Sequence, residues 1–310
     1  LLNWPASCLS TLSNLQLTCT HHIIMCYLGP FQTGVFIPRS RLGGVMNMPA
    51  LVWEEFHFDD PDGGKIIFWP HIPCIRMPVK LRSHSNFHGV AFLTSSIDLQ
   101  SWIMEDKQEK ESPGVHRDSA IASGTVLGRL MTDLNELELD GPVIPDPEQL
   151  RLLLHAKNTR GGLPIYAIEP NLEDENWVDW QIKSADQQVT YSNLILTLTT
   201  GRRWKKIRKD AIKSVTSSKL VNADLGAASA SCLTWWIEEQ RGISEELQNL
   251  RDERFVSRIR GALANLRNHD ISDPKSDGLT LMVPIHQAWL PSIRKAISSC
   301  TNVEEITPEE

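Results

Sequence analysis

The residue best placed for chemistry is His286, which follows the apolar run 279–285 (LTLMVPI) and precedes the helix-compatible segment 290–297. The run is short enough for a single buried strand, and the segment after it can form a helix. Open α/β sheets bind ligands just outside the carboxyl ends of their strands. The sequence therefore predicts that His286 stands at the ligand-binding edge of a sheet.

A second strand end carries Glu169, directly after the apolar run 163–168 (LPIYAI). If the two strands are parallel neighbours, Glu169 and His286 meet at one edge of the sheet. A histidine and a carboxylate together can perform general acid–base catalysis or bind a divalent metal ion. His286 would then be the base or a metal ligand, and Glu169 would orient it or complete the ligand set. The competing interpretation is structural, with His286 bonded locally and Glu169 solvated.

Three arginines of the longest predicted helix have the spacing i, i+3 and i+7, so Arg251, Arg254 and Arg258 share one face. Arg251 or Arg254 could hold an anionic group of a substrate, or pair with Glu169. The alternative is a solvated face on which the arginines pair with acidic residues of the same helix.

The remaining metal-binding residue types carry weaker signals, because they lie in β-like or loop-like segments or match no zinc spacing. They are His57, His71, the pair His84 and His88, and the amino-terminal group Cys19, His21, His22 and Cys26. We interpret these residues as structural.

The order of predicted elements indicates an α/β fold. Asp146 suits a helix N-cap, Pro147 suits the first helical position, and a Gly-Gly stop separates that helix from the strand 163–168. A helix, a glycine turn and a buried strand in succession are typical of α/β proteins. Upstream, two apolar runs around the turn 59–64 predict a hairpin or a long β connection. We expect a mixed, largely parallel sheet flanked by helices, with a β-rich amino-terminal part.

Charge and periodicity divide the chain into three parts. Residues 1–48 have little charge and no clear periodicity, so we expect an irregular, disordered leader. Residues 49–300 form the predicted single α/β domain, whose longest helix spans 243–266. Residues 301–310 are an acidic tail that we expect to be frayed.

The composition is that of an ordinary globular protein, with 41% apolar and 22% charged residues. The net charge of −7 argues against a dedicated nucleic-acid-binding protein. The one dense basic stretch, 202–213 (RRWKKIRKDAIK), predicts an exposed helix with at most weak, salt-sensitive affinity for phosphates.

The six cysteines fit no compact disulfide framework, which indicates free thiols in a reducing compartment. No apolar run approaches the roughly 20 residues that span a bilayer. The first residues also lack the charged region and apolar core of a secretory signal. We therefore expect a cytoplasmic protein without a membrane span.

The segment RDERFVSRIRGAL is followed by a strand, a histidine and a second helix in GLTLMVPIHQAWLPSIRKAI. In this arrangement the last third of the chain resembles the TraB-like superfamily, which includes erythromycin-esterase-like and haem-uptake ChaN-like proteins. The resemblance matches His286 to the family's carboxy-terminal histidine, and Arg251 or Arg254 to its helix arginine. Val283 departs from the pattern, because the family prefers glycine there. The nearest match to the family's amino-terminal Gly-x-x-His-like strand motif, GVAFLTSSID, ends without a histidine.

The resemblance implies a hydrolase with His286 and Arg251 or Arg254 in its site. Our first hypothesis adds Glu169 from its position after a strand, a small-molecule or peptide substrate, and a divalent metal ion as a candidate cofactor, since a histidine and a carboxylate can bind one. The second hypothesis is a non-catalytic α/β scaffold that binds a protein or an anionic partner through its Trp-rich and basic surfaces. The two hypotheses differ in one structural expectation. Only the hydrolase requires the side chains of His286, Glu169 and the arginines to converge in one pocket. The sequence carries no signal for the oligomeric state.

Overall fold

The structure, a computed structural model, describes residues 48–269 and 278–309 of the 310-residue chain. These residues form one five-stranded sheet and ten α-helices. The strands are β1 (Phe56–Asp59), β2 (Lys65–His71), β3 (Gly89–Phe92), β4 (Ile165–Ala167) and β5 (Thr280–His286). The helices are α1 (Ser96–Glu111), α2 (Val115–Ala122), α3 (Val126–Asn135), α4 (Pro147–Asn158), α5 (Glu175–Gln188), α6 (Tyr191–Thr197), α7 (Thr200–Ala211), α8 (Ala223–Glu239), α9 (Glu245–His269) and α10 (Leu290–Ser299).

Across the sheet the strands run in the order β1-β2-β5-β3-β4. β1 and β2 form an antiparallel hairpin, and the other neighbouring strands pair in parallel. The predicted α/β class, with a mixed and largely parallel sheet, is confirmed. The apolar runs 163–168 and 279–285 supply β4 and β5 of this one sheet, as strands covered on both faces should. However, β3 lies between them, so these two strands are not the neighbours that the acid–base interpretation assumed.

Alternate residues of the strands face different layers of helices. Ala91 of β3 belongs to a core cluster with Phe255 of α9 and Ile293 of α10. The next residue, Phe92, points to the opposite face of the sheet. It packs against Trp102 of α1, with the ring centroids 5.5 Å apart. The helices that follow β3 and β5 therefore cover opposite faces.

This arrangement determines where a crevice forms at the edge of the sheet. β3 and β5 are neighbours, and their connections leave toward opposite faces of the sheet. In open α/β sheets a crevice forms outside the carboxyl ends of such a pair of strands. The strand ends at or beside this crevice carry His286 as the last residue of β5, His71 as the last residue of β2, and Glu169 shortly after β4.

The helix before β4 begins as the sequence predicts. Asp146 Oδ1 accepts hydrogen bonds from the backbone N–H groups of Glu148 and Gln149, at 3.0 and 3.2 Å, and Pro147 occupies the first turn. This cap satisfies backbone donors that have no partner within the helix. It also fixes the Asp146 side chain beside the end of β2, where its second oxygen is available.

The acidic tail packs against the domain, although we expected it to be frayed. Ile306 is buried in the core cluster. The backbone N–H of Glu304 donates to the carbonyl of Ser257, and that of Glu309 donates to the carbonyl of Ile165. A Cβ atom on Gly261 would lie 1.7 Å from the carbonyl oxygen of Glu304, so only glycine permits this close approach.

Other predictions concern residues 1–47, which lie outside the part of the chain that the structure describes. They include the disordered leader and the group of cysteines and histidines between Cys19 and Cys26. All the elements given above belong to one unit, Pro49–Glu310. Within the described ranges, no helix is both long and apolar enough to cross a membrane.

Candidate functional site

Two histidines occupy paired positions at the carboxyl ends of neighbouring parallel strands. His71 is the last residue of β2, His286 is the last residue of β5, and the two are register partners. The sequence analysis identified His286 and gave His71 little weight. A usable signal was present, because KIIFWPH and TLMVPIH are both apolar strands that end in histidine.

His71 is oriented by a carboxylate. Its Nε2 lies 3.3 Å from Asp146 Oδ2, which also accepts a hydrogen bond from the backbone N–H of Cys74 at 3.1 Å. Burial opposes the charge of Asp146. The charge and hydrogen bond of His71, together with backbone N–H groups, outweigh this effect and lower the pKa of Asp146. Nε2 of His71 faces Asp146, so Nδ1 is the ring nitrogen that is left without a partner.

His286 lies among three tryptophans. The distances from its ring centroid are 4.5 Å to Trp236, 5.4 Å to Trp235 and 5.6 Å to Trp289. Burial, and then the charges of His71 and Arg251, lower the pKa of His286 well below 6.5. The ring is therefore neutral at pH 7 and can accept a proton. Its side chain is partly exposed, whereas His71 is completely buried.

Three buried ring nitrogens in this region have no hydrogen-bond partner among the described residues: His71 Nδ1, His286 Nδ1 and Trp235 Nε1. A buried donor or acceptor without a partner costs about 1–3 kcal/mol. Such atoms are rare in folded proteins, and each one needs an explanation such as a bound molecule or a catalytic role. We call His71, His286 and Trp235, together with Glu169, the strand-end cluster.

Arg251 is the arginine that belongs beside this cluster. Its guanidinium carbon lies 4.8 Å from the ring centroid of Trp289 and 5.2 Å from that of Trp236. It donates to Asp252, which also accepts a hydrogen bond from Trp289 Nε1 at 2.9 Å. Arg251 is only 7% exposed, so it is not part of a solvated face. Its stacking fixes the tryptophans around His286.

Arg254 and Arg258 lie on the same helix but have another use. Arg254 forms ion pairs with Asp174 and Glu304, and Arg258 pairs with Glu304 at 2.7 Å. Arg258 also donates to the carbonyl oxygen of Ile168. We call Arg254, Arg258, Asp174 and Glu304 the tail clamp. The structure therefore places Arg254, which we predicted to hold a substrate, in contacts that hold the acidic tail.

Glu169 follows β4 on the far side of β3 from His286. Two strand spacings separate these strands, roughly 10 Å. Glu169 Oε1 accepts hydrogen bonds from Trp177 Nε1 at 3.3 Å and Gln181 Nε2 at 3.5 Å. It forms no hydrogen bond with His286, so it does not orient that ring. Burial and the charge of Asp98 raise the pKa of Glu169 to about 7, against the opposing effects of its hydrogen bonds and of Arg251.

The described residues contain no group of three or more His, Cys, Asp and Glu side chains arranged to hold a metal ion. His286 and Glu169, the predicted metal ligands, stand two strands apart without a third ligand. The buried thiols nearby do not suit a covalent mechanism either. Burial, and secondarily the charge of Asp146, raises the pKa of Cys74 and of Cys232 above the ordinary value, which disfavours the nucleophilic thiolate.

A cavity of about 570 Å³ lies to one side of the strand ends, and its lining includes Trp53, His57, Trp69 and Arg82. The ring of Trp69 stacks on that of His71, with the centroids 5.6 Å apart. Trp69 therefore lies between the cavity and His71, and the lining of the cavity includes no member of the strand-end cluster.

Comparison of the chain with models of protein families, with curated proteins and with solved structures found no match.

Proposed function

We propose that the protein is a hydrolase of esters or amides that activates water at the strand-end cluster. The observation that carries the proposal is the pairing of His71 and His286 at the ligand-binding edge, each with a buried and unpartnered Nδ1. A carboxylate orients one of the two rings, and the environment of the other keeps it neutral. Neutrality is what a general base requires, and it is a property of His286; His71, which Asp146 orients, is the register partner of His286.

In the proposed reaction His286 is the base, because it is the less buried residue of the pair and its environment keeps its ring neutral. It takes a proton from the water while the oxygen attacks the carbonyl carbon of the substrate. Glu169, whose pKa is about 7, gives its proton to the leaving group as the carbon–heteroatom bond breaks. Solvent then returns the proton from His286 to Glu169, so the cycle closes without a covalent intermediate.

The separation of the two groups agrees with these roles. A gap of roughly 10 Å between the strand ends leaves room for both the scissile bond and the attacking water. The charge of Arg251 acts on His286 and Glu169 alike, since it lowers the pKa of both. A fixed positive charge in this position would also stabilise the negative charge that develops on the carbonyl oxygen.

The resemblance of the last third of the chain to the TraB-like superfamily also favours a hydrolase. The segments RDERFVSRIRGAL and GLTLMVPIHQAWLPSIRKAI form α9, β5 and α10 in the order that the resemblance implies. We had matched the family's amino-terminal strand motif to GVAFLTSSID, which forms β3 and the start of α1. β2 ends in a histidine, which β3 lacks, but Phe68 stands where the motif has glycine.

The test is a panel of ester and peptide substrates with the wild-type chain and His286→Ala. Loss of a general base should lower kcat/KM by about 10²–10⁴-fold. His155→Ala, at an exposed histidine of α4, is the matched control and should keep full activity. Thermal melts of both variants distinguish loss of the catalytic group from loss of the fold. Full activity in a folded His286→Ala variant would refute the proposal.

A further inference from the structure

The outward face of α7 carries a row of exposed basic residues. Its members lie at spacings of three or four residues along one side of the helix, and we call them the basic stripe: Arg202, Lys205, Lys206 and Lys209. This patch is local, because the whole chain has a net charge of −7. A concentrated positive face on an acidic protein indicates a contact with one anionic partner.

Within the described residues no member of the basic stripe forms an ion pair, and the nearest acidic group on α7, Asp210, pairs with Lys213 while it also feels the charges of Lys206 and Lys209. The other two arginines of α7 behave differently. Arg203 pairs with Glu238 at 2.9 Å, and Arg208 pairs with Asp133 at 3.2 Å. These inward pairs hold the helix in place, so the four exposed cations are presented on a fixed surface.

The aromatic residue of the helix is not available to a partner. Trp204 is only 5% exposed, and its Nε1 donates to Asp133 Oδ2 at 2.9 Å. Proteins that bind single-stranded nucleic acids generally stack bases on exposed aromatic rings beside the cationic groove. The basic stripe therefore lacks the exposed aromatic ring that a surface for single-stranded nucleic acid generally has.

Exposed aliphatic side chains stand at both ends of the basic stripe instead. Leu198, just before α7, is 85% exposed, and Ile212, just after it, is 52% exposed. Ile212 lies seven residues after Lys205, which places it on the same side of the helix as the cations. Phosphates of a nucleic acid offer no apolar contact for these two residues, whereas the headgroup region of a bilayer does.

From these observations we infer that the outer face of α7 binds the surface of an anionic lipid bilayer. The basic stripe contacts the headgroup phosphates and carboxylates, and Leu198 and Ile212 enter the boundary with the acyl chains. This is peripheral binding, which adds electrostatic attraction to a small buried apolar area. It does not depend on the hydrolase proposal, because α7 and the strand-end cluster share no residue.

The experiment is co-sedimentation of the full chain with vesicles of phosphatidylcholine alone or of equal parts phosphatidylcholine and phosphatidylserine. The wild type should bind the mixed vesicles, not the neutral ones, and salt should weaken the binding. The triple variant Lys205→Gln, Lys206→Gln, Lys209→Gln should lower the partition coefficient by about 100-fold, because each basic residue near such a surface contributes about a factor of five. Leu198→Ser should lower it by about fivefold.

The matched control is the triple variant Lys107→Gln, Lys110→Gln, Lys183→Gln. These lysines lie on other helices, and each pairs with an acidic residue one helical turn away. This control has the same net charge as the triple variant of the basic stripe and should bind like the wild type. Equal binding to neutral vesicles, or equal losses in both triple variants, would overturn the inference. Tighter binding to a single-stranded oligonucleotide than to the mixed vesicles, unaffected by Leu198→Ser, would assign the basic stripe to nucleic acid instead.

Discussion

The strand-end cluster and the tail clamp are both contacted by residues of α9, but their polar groups are paired with partners to opposite degrees. In the tail clamp Arg254 and Arg258 share Glu304, and Arg254 also pairs with Asp174. In the strand-end cluster two imidazole nitrogens and one indole nitrogen are buried without partners. Arg251 and Arg254 are three residues apart, yet one contacts the tryptophans around His286 and the other holds the tail.

The difference indicates that the tail clamp stabilises the fold, whereas the strand-end cluster is suited to a chemical function. Satisfied ion pairs and hydrogen bonds hold a segment in place, and a residue that makes them is not free to contact a substrate. Unpartnered buried groups and a carboxyl with a raised pKa cost folding free energy, so a protein tolerates them where they serve a function. The comparison predicts that substitutions in the cluster change activity more than stability, and that substitutions in the clamp do the reverse.

The largest expected effect is that of Glu169→Gln on catalysis. Gln cannot donate the proton of a carboxylic acid, so kcat/KM should fall by about 10²–10³-fold. In the wild type, activity should fall on the acid side as His286 protonates below pH 6.5, and on the alkaline side as Glu169 loses its proton near pH 7. The variant should keep the acid limb and lose the alkaline limb. A pH–rate profile of both proteins checks this, and an unchanged alkaline limb would remove Glu169 from the mechanism.

The next effect tests the tail clamp. Gly261→Ala places a Cβ atom 1.7 Å from the carbonyl oxygen of Glu304, so the tail must move and the clamp must break. We expect a loss of about 2–4 kcal/mol in the free energy of unfolding, with normal activity per folded molecule. The control is Gly226→Ala in α8, where the nearest atom to the new Cβ is 3.9 Å away and the substitution should be tolerated. Chemical denaturation measures both, and a fully stable Gly261→Ala variant would show that the tail contributes little.

The smallest expected effect is the change that Glu169→Gln makes in the free energy of unfolding. Folding raises the pKa of Glu169 from 4.5 to about 7, so the folded state binds more protons than the unfolded state between these values. Stability is therefore lost as pH rises through this window, and above pH 7 the buried charge is a net cost. Glu169→Gln should increase the free energy of unfolding by about 1–2 kcal/mol at pH 8, allowing for partial exposure of the side chain, and leave it unchanged at pH 4. Denaturation at the two pH values checks this, and a variant that is less stable at pH 8 would contradict it.

Local patterns determined much of the fold. The apolar runs before Glu169 and His286 predict strands covered on both faces, and Asp146 with Pro147 predicts the start of α4. These signals succeed because a strand period, a cap or a glycine stop depends on a few adjacent residues. The same reasoning placed His286 at the carboxyl end of a strand, where the structure has it.

Only the tertiary structure decided which residues share a site. The pairing of His71 with His286, the insertion of β3 between Glu169 and His286, and the choice of Arg251 over Arg254 depend on strand order and on the path of the tail. Many strand orders bury the same apolar residues, so hydrophobic pattern does not distinguish among them. His71 and His286 are 215 positions apart in the chain, and contacts at such separation follow from the packing of whole elements rather than from neighbouring residues.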